Sequence, residues 1–335
     1  MMATFRSQSL PAAIDASSSD ALSVFDPPMI AGLVWLLAAA AAITWPDISD
    51  WTRTGLYAGI VGALGVAIIA ARIIVLVWGT DPLRVAHRAA WLIVIGLFLT
   101  VWELASAKFR WLPLPFFPPP QELLEVYTDE LPKLAENVAA SAKLLVTGYA
   151  IGAALGFVTG VSIGWSVTAG YWVHPLLRLI GPLPATAWLP IAFFAFPSGW
   201  SGSIFLIALA AGFPVTVLTW SGIASVPTAY YDVTRTLGGG PWFLVFRVAI
   251  PAALPHVFVG LFMALGSAFS VLMVAELLGV KAGIGFYLQK AQGWASYGNV
   301  YAALVVLALL CSGTITILFA VRDRLLSWQK GLVKW

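Results

Sequence analysis

Charge is scarce in this chain: Asp, Glu, Lys and Arg make up 10% of its 335 residues, against roughly 25% in an ordinary soluble domain. That scarcity excludes a water-soluble globule of this size, because too few polar side chains exist to coat one. Cysteine is scarcer still. The single Cys311 lies inside an apolar run, which rules out an intrachain disulfide and a cysteine metal cluster. His87, His174 and His256 are dispersed without ligand spacing, so no metal site is expected. No G-x-x-x-x-G-K-[ST] phosphate loop occurs, so the chain cannot itself be a nucleotide hydrolase of that class. A net charge of +3 suggests neither nucleic acid nor a polybasic membrane anchor. No catalytic residue is nominated.

What remains is apolar and aromatic. Hydrophobic residues make up 60%, with 16 Trp, 19 Phe and 30 Gly, a composition suited to closely packed spanning helices with aromatic belts. The fold class expected is all-α, a polytopic membrane helix bundle. A hydrocarbon core of about 30 Å needs roughly 17 to 25 mostly apolar residues per helix. That criterion predicts eight spans, near 29–45, 55–78, 90–107, 137–165, 175–196, 203–224, 252–278 and 300–320. Residues 1–28 read as a disordered tail leading into a retained helix rather than a cleaved leader, and 323–335 as a second tail. Arg84, Arg88, Arg235, Arg247, Arg322, Arg324, Lys330 and Lys334 all fall on one side. That bias makes the side cytoplasmic and puts both termini there.

On the opposite side, "LPLPFFPPPQELLEVY" predicts an extended lead and then an amphipathic helix from Gln121 carrying Leu123, Leu124 and Tyr127. A second external element, "GVKAGIGFYLQKAQGWASYGN", follows the seventh span. The fourth span carries Gly148, Gly152, Gly156, Gly160 and Gly164 at every fourth position, a bare stripe on which another helix must pack. In the fifth, "RLIGPLPATAWLP" places Pro182, Pro184 and Pro190, each breaking the hydrogen-bond ladder at membrane depth. A broken helix beside a wet path, or a buried kink, would satisfy the freed carbonyls. Pro184, Thr186, Trp188 and Glu276 are the candidate path residues.

Glu103 and Glu276 sit near the outer ends of their spans, as a structural pair or interfacial groups. Lys143 and Arg178 are candidates to attract an anion, or else reach to headgroups. Arg72 is expected to do only the latter.

Between the sixth and seventh spans lies a polar loop, "YYDVTRTLGGGPWFLVFRVAIPAALP". Thr228 is a candidate N-cap for a short helix with Tyr230, Val233, Thr234 and Leu237 on one side and Asp232 and Arg235, an i,i+3 pair, on another. Gly238 supplies a left-handed stop and Pro241 restarts the chain. Trp242, Val245, Phe246 and Ala249 then form an apolar face on a helix that Pro251 and Pro255 should limit.

At this loop the chain resembles the permease subunits of binding-protein-dependent ABC importers, of the nitrate, sulfonate and taurine branch. The family signature is Glu-Ala-Ala, three residues, Gly, about nine residues, then Ile-x-Leu-Pro. Here "DVTRTLGGG" and "PAALP" correspond, with Asp232, Val233 and Thr234 in place of Glu-Ala-Ala and Ile250-Pro251 at the apolar-Pro step. The resemblance continues through "VWELAS", "PPPQELL", "GPLPATAWLPIAFF" and "VAELLGVKAGIGFYL". It implies a six-helix core of the type I importer kind at 90–322, with a coupling loop at 225–251; the two additional N-terminal helices at 29–80 lie outside the resemblance. It further implies a cytoplasmic ABC ATPase dimer that binds ATP and Mg, a periplasmic or lipid-anchored solute-binding protein, a second permease copy in a homodimer, and location among the lipids of the cell inner membrane. By the same resemblance Tyr231, Asp232, Arg235, Thr236, Gly238 and Trp242 couple to the ATPase, and the cargo is a small anion or organic acid. The alternatives are a carrier driven by an ion gradient, with Glu276 as a coupling group, and a membrane scaffold that transports nothing.

Overall fold

A computed structural model of the chain describes residues 26–78 and 82–329, with 76–78, 82–88 and 329 described as backbone only. The expectations placed on the tail up to residue 25, and on Lys330 and Lys334, lie outside the described residues, as do the side chains of Arg84, His87 and Arg88. All regular structure among the described residues is helical: α1 Pro27–Thr44, α2 Thr54–Trp78, α3 Pro82–Glu103, α4 Pro120–Asp129, α5 Leu131–Trp165, α6 Val167–Ile180, α7 Leu189–Ala195, α8 Gly199–Ala224, α9 Thr228–Thr236, α10 Pro241–Phe243, α11 Ile250–Leu278, α12 Ile284–Gly293 and α13 Tyr297–Leu325. Seven of the described spans are long and apolar enough to cross a membrane, and an eighth forms if α6 and the Ala185–Ala195 segment count as one broken span.

That break is the expected fifth span, and its cause lies in the prolines. Pro182 has no N–H for the Arg178 carbonyl and Pro184 none for that of Ile180. The chain turns by 88° between Ile180 and Ala185. A short 3₁₀ turn, Ala185–Trp188, then leads into α7.

Contacts divide the chain into two compact units, one ending at Leu124 and the other beginning at Glu125. In the first, α1 packs on both α2 and α3. Trp35 fills the α1–α3 seam, its indole N–H donating to the Leu92 carbonyl at 2.9 Å. The C-terminus of α1 would leave carbonyls without donors, and Lys108 supplies them. Its Nζ donates to the carbonyls of Ala42 at 2.8 Å and Trp45 at 2.6 Å. Lys108 also pairs with Asp47 at 2.6 Å and lies 3.9 Å from Glu103. The Glu103 carboxylate accepts from Gln121 Nε2 at 3.1 Å. Arg72, expected to reach for headgroups, is instead buried in an ion pair with Asp26, the residue that precedes α1.

In the second unit the glycine stripe of α5 finds its partner in α8. A Cβ built on Gly148 would lie 2.7 Å from Ile207 Cβ, one on Gly156 2.5 Å from the Gly212 carbonyl oxygen, and one on Gly164 2.8 Å from Ile223 Cβ. Gly152 and Gly160 meet the backbone of Ala208 and Thr216 in the same way. With no hydrophobic drive between helices in lipid, this close backbone approach is what holds them. The other side of α8 packs on α11, and Leu206, Ile207, Ala211, Val215, Ala264, Ala268 and Leu272 form a fully enclosed core.

Candidate functional site

Helix α9 is short and loosely tied at its start. Pro227, not Thr228, occupies the N-cap position, and no side chain caps the helix. At its other end the chain closes by two backbone bonds: Gly239 N–H donates to Thr234 O at 2.9 Å and Gly238 N–H to Arg235 O at 3.0 Å. This pair of bonds is the Schellman arrangement and requires a left-handed residue. Gly238 has φ +83°. A Cβ there would meet nothing within 4 Å, so backbone conformation, not space, demands glycine.

From Pro241 the structure departs from the sequence expectation. Pro251 and Pro255 do not limit a separate second helix; α10, a π-helical stretch Leu244–Ala249 and α11 run on as one continuous span from Pro241 to Leu278. The π-helical stretch is the reason: Ile250 N–H reaches back five residues to Val245 O, so the ladder shifts register just where Pro251 would leave a carbonyl without its donor. The loop is therefore one short helix, a tight glycine turn, and the projecting end of a long one.

Side chains sort cleanly around this loop. Tyr231 turns inward: its ring meets Trp165 edge-on at 5.9 Å and packs on the cluster of Ile223, Ala249 and Ala253. Burial there raises its phenol above the ordinary range. Outward stand Tyr230, Val233, Leu237, Trp242, Phe243 and Phe246, all more than half exposed, Leu237 by 83%. Trp242 and Phe246 stack at 5.8 Å. Asp232 and Arg235 approach to 3.5 Å on the open surface, and the Thr236 hydroxyl donates to the Val233 carbonyl. Between the loop and α5, with Phe157, Trp165, Trp242 and Phe246 in its wall, an apolar cavity of ≈ 620 Å³ remains.

The expected path residues fall on two elements, the turn after the break and α11. Pro184, Thr186 and Trp188 lie together on the 3₁₀ turn after the break. Glu276 is fully buried at the C-terminal end of α11. Its Oε2 accepts from Gly285 N–H at 2.7 Å, while Ser141 Oγ takes Ile284 N–H at 2.7 Å and Asn137 Oδ1 takes Gly283 N–H at 3.0 Å. Three successive amides at the start of α12 thus have side-chain acceptors, and a carboxylate there also meets the positive end of the helix dipole. Gly283, at φ +128°, admits this: a Cβ would come within 2.5 Å of Glu276 Oε1.

Sequence reasoning missed Asn137 and Ser141, whose i,i+4 spacing on one face of α5 was the available signal. It also missed the cluster at the far end of α5 from the loop. Glu130 Oε2 there accepts from Tyr287 Oη and Asn299 Nδ2, each at 3.1 Å, and pairs with Lys133 at 3.2 Å. Among the described residues no group of three or more His, Cys, Asp or Glu is placed to hold a metal ion. Lys143 is exposed, 5.9 Å from the Trp200 ring. Arg178 and His174 line a cavity of ≈ 560 Å³ beside the broken helix.

Residues 149–329 match the model of the binding-protein-dependent transport system inner membrane component. Among curated proteins, the taurine transport system permease protein TauC of Escherichia coli is 30% identical over 242 residues, covering 70% of this chain and 88% of TauC. A putative aliphatic sulfonates transport permease protein, SsuC of Bacillus subtilis, is 31% identical over 184 residues, 55% of this chain and 67% of its own length. The nitrate import permease protein NrtB of Synechococcus elongatus is 26% identical over 273 residues, 76% and 93% of the two chains.

Proposed function

Because the chain belongs to the family of binding-protein-dependent transport system inner membrane components, and so is an ABC importer permease subunit of the inner membrane and not an enzyme, we propose how it is assembled and driven. The loop end is cytoplasmic, and there a separate ABC ATPase grips α9 and the projecting end at Pro241–Phe246. A second copy of the chain completes the path. A solute-binding protein delivers the cargo at the opposite end, and that cargo is a small oxyanion or organic acid like those in the relatives' names.

The observation that carries the coupling reading is the outward apolar face of the loop. Six large apolar or aromatic side chains stand exposed on a loop whose own charges are Asp232, Arg235 and Arg247. An exposed apolar patch rimmed by polar groups marks a protein contact, and a short amphipathic helix fits the helix-in-groove mode. Tyr231 anchors the loop from beneath, so that force applied to α9 is passed to α5 through Trp165 and to α11 through Ala249 and Ala253. The glycine turn and the continuous helix behind it make the link stiff. An ATPase can shift the path between its two facings only through contacts that differ between them, and a stiff lever transmits such a difference.

Retention of the ATPase in the detergent-solubilised complex tests this. Leu237→Asp with Trp242→Asp is expected to release the ATPase while the permease elutes and melts as before. Full retention in that double variant would remove the docking face from the argument. No observation favours an ion-gradient carrier: Glu276, its coupling candidate, is wholly enclosed at the start of α12.

A further inference from the structure

The cavity beside the broken helix is lined by Arg178 and His174, with Gly181, Phe213, Val217 and Trp220 among its walls and no carboxylate in its lining. Its ≈ 560 Å³ falls within the range of roughly 300–1,000 Å³ typical of small-molecule sites. Its depth follows from the helices that bound it. The His174 ring meets Trp220 at 4.4 Å, and a Cβ on Gly181 would meet the Phe213 ring. Seven residues forward from His174 therefore match seven backward from Trp220, so α6 and α8 run in opposite directions and meet here through ring contacts, with the cavity between them.

Arg178 falls between these levels, opposite residue 216. That is eight residues short of Ala224, where α8 ends, and about 12 Å in at 1.5 Å per residue. Ionisable groups at such depth face protein or water rather than lipid. Arg178 is nonetheless exposed on this chain, and no carboxylate lines the cavity beside it.

We propose that Arg178, with His174 one turn nearer the loop, binds an oxyanion, and that this oxyanion is the sulfonate, nitrate or carboxylate of the cargo crossing the loop-side half of the path. The planar guanidinium presents paired N–H donors that match two oxygens of one such group. Leu177, Phe213, Val217 and Trp220 offer an apolar wall to a short carbon chain. An Arg with no carboxylate in the same cavity attracts an anion without holding it in a closed cage, which suits a site that must also release. The inference rests on the importer reading above and adds the group that selects the cargo's charge. A lipid phosphate from the adjacent leaflet has the same chemistry, so the experiment must separate the two.

The test is uptake of radiolabelled taurine, ethanesulfonate and nitrate by vesicles holding the permease with its ATPase and binding protein, with ATP hydrolysis followed in parallel. Arg178→Gln is expected to lower uptake about tenfold or more, and Arg178→Lys to restore part of it, while hydrolysis stimulated by the binding protein stays near the wild-type rate. The loss should be equal in vesicles of phosphatidylcholine alone and in vesicles supplemented with phosphatidylglycerol. A loss that follows the phosphatidylglycerol content assigns the oxyanion to lipid and overturns the cargo site. Wild-type uptake in Arg178→Gln overturns it as well, and so does a parallel fall in uptake and hydrolysis, which would mark a structural role. Wild-type vesicles that take up none of the three probes when ATP is supplied would bring down the cargo class proposed above, and this inference with it.

Discussion

Along α5, five glycines let α8 approach until backbone touches backbone, and every stripe position would collide if it gained a single carbon. Around Gly238 and Gly240 a Cβ would meet nothing within 4 Å, and the large side chains nearby are more than half exposed. Removing side chains in the first region and displaying them in the second are two answers to one question, namely where the contact partner lies. The α5 seam has its partner within the chain. The outward face of the loop is more than half exposed, which is why it is informative about function and the stripe is not. The same contrast governs charge: Lys108 is enclosed with four oxygen atoms around it, whereas Asp232 and Arg235 meet on the open surface.

The contrast breaks most easily where the interior is polar. Lys108→Met would leave Glu103 and Asp47 without their cation and the end of α1 without its donors. Removing one partner of a buried pair typically costs about 3–5 kcal/mol. The variant should show the largest drop in melting temperature of the detergent-solubilised protein, and an unchanged melt would mean that the knot around Lys108 carries little. Next comes Gly156→Leu. Its new side chain faces the Gly212 carbonyl and Val215, neither of which can turn aside as a flexible side chain would. Overpacking costs about 1–3 kcal/mol where neighbours can move, and here the helices themselves must part. The expected readout is a lower melting temperature with uptake lost in proportion. A variant that melts like wild type would show the seam to be looser than drawn.

Much of this architecture was legible in the sequence, because lipid imposes simple rules. Span positions followed from apolar length, the break in the fifth span from Pro182 and Pro184, and the left-handed turn from Gly238, since each depends on a local property of the chain. What was not legible depended on partners distant in sequence. Nothing near Arg72 announces Asp26, 46 residues away, and nothing near Glu276 announces that its amide donor arrives from the next helix. Tyr231 shows the same limit at short range. Helical periodicity put Tyr230, Val233 and Leu237 on one face, but which face turns toward Trp165 is decided by α5. The run from Pro241 into α11 was hidden for a different reason: a proline reads as a stop unless a π-helical stretch resets the ladder, and no residue type signals that stretch.

The smallest effect on stability, and the sharpest on function, belongs to Gly238→Val. A β-branched residue at φ +83° suffers a local backbone penalty of about 1–2 kcal/mol. Relief requires only that the turn after α9 open, because no neighbour lies within 4 Å of the new side chain's root. The bundle should therefore melt almost as wild type does. The orientation of α9 relative to Pro241 should not survive, and with it goes the fixed angle between the outward face and the Tyr231 anchor. Expected is an ATPase that still binds and hydrolyses, with fewer solute molecules entering per ATP. Gly238→Asn, which tolerates the left-handed conformation, should keep the wild-type ratio. Equal ratios in the Val, Asn and wild-type proteins would mean that force crosses this loop without help from its shape, and the lever would have to be sought along the projecting end of α11 instead.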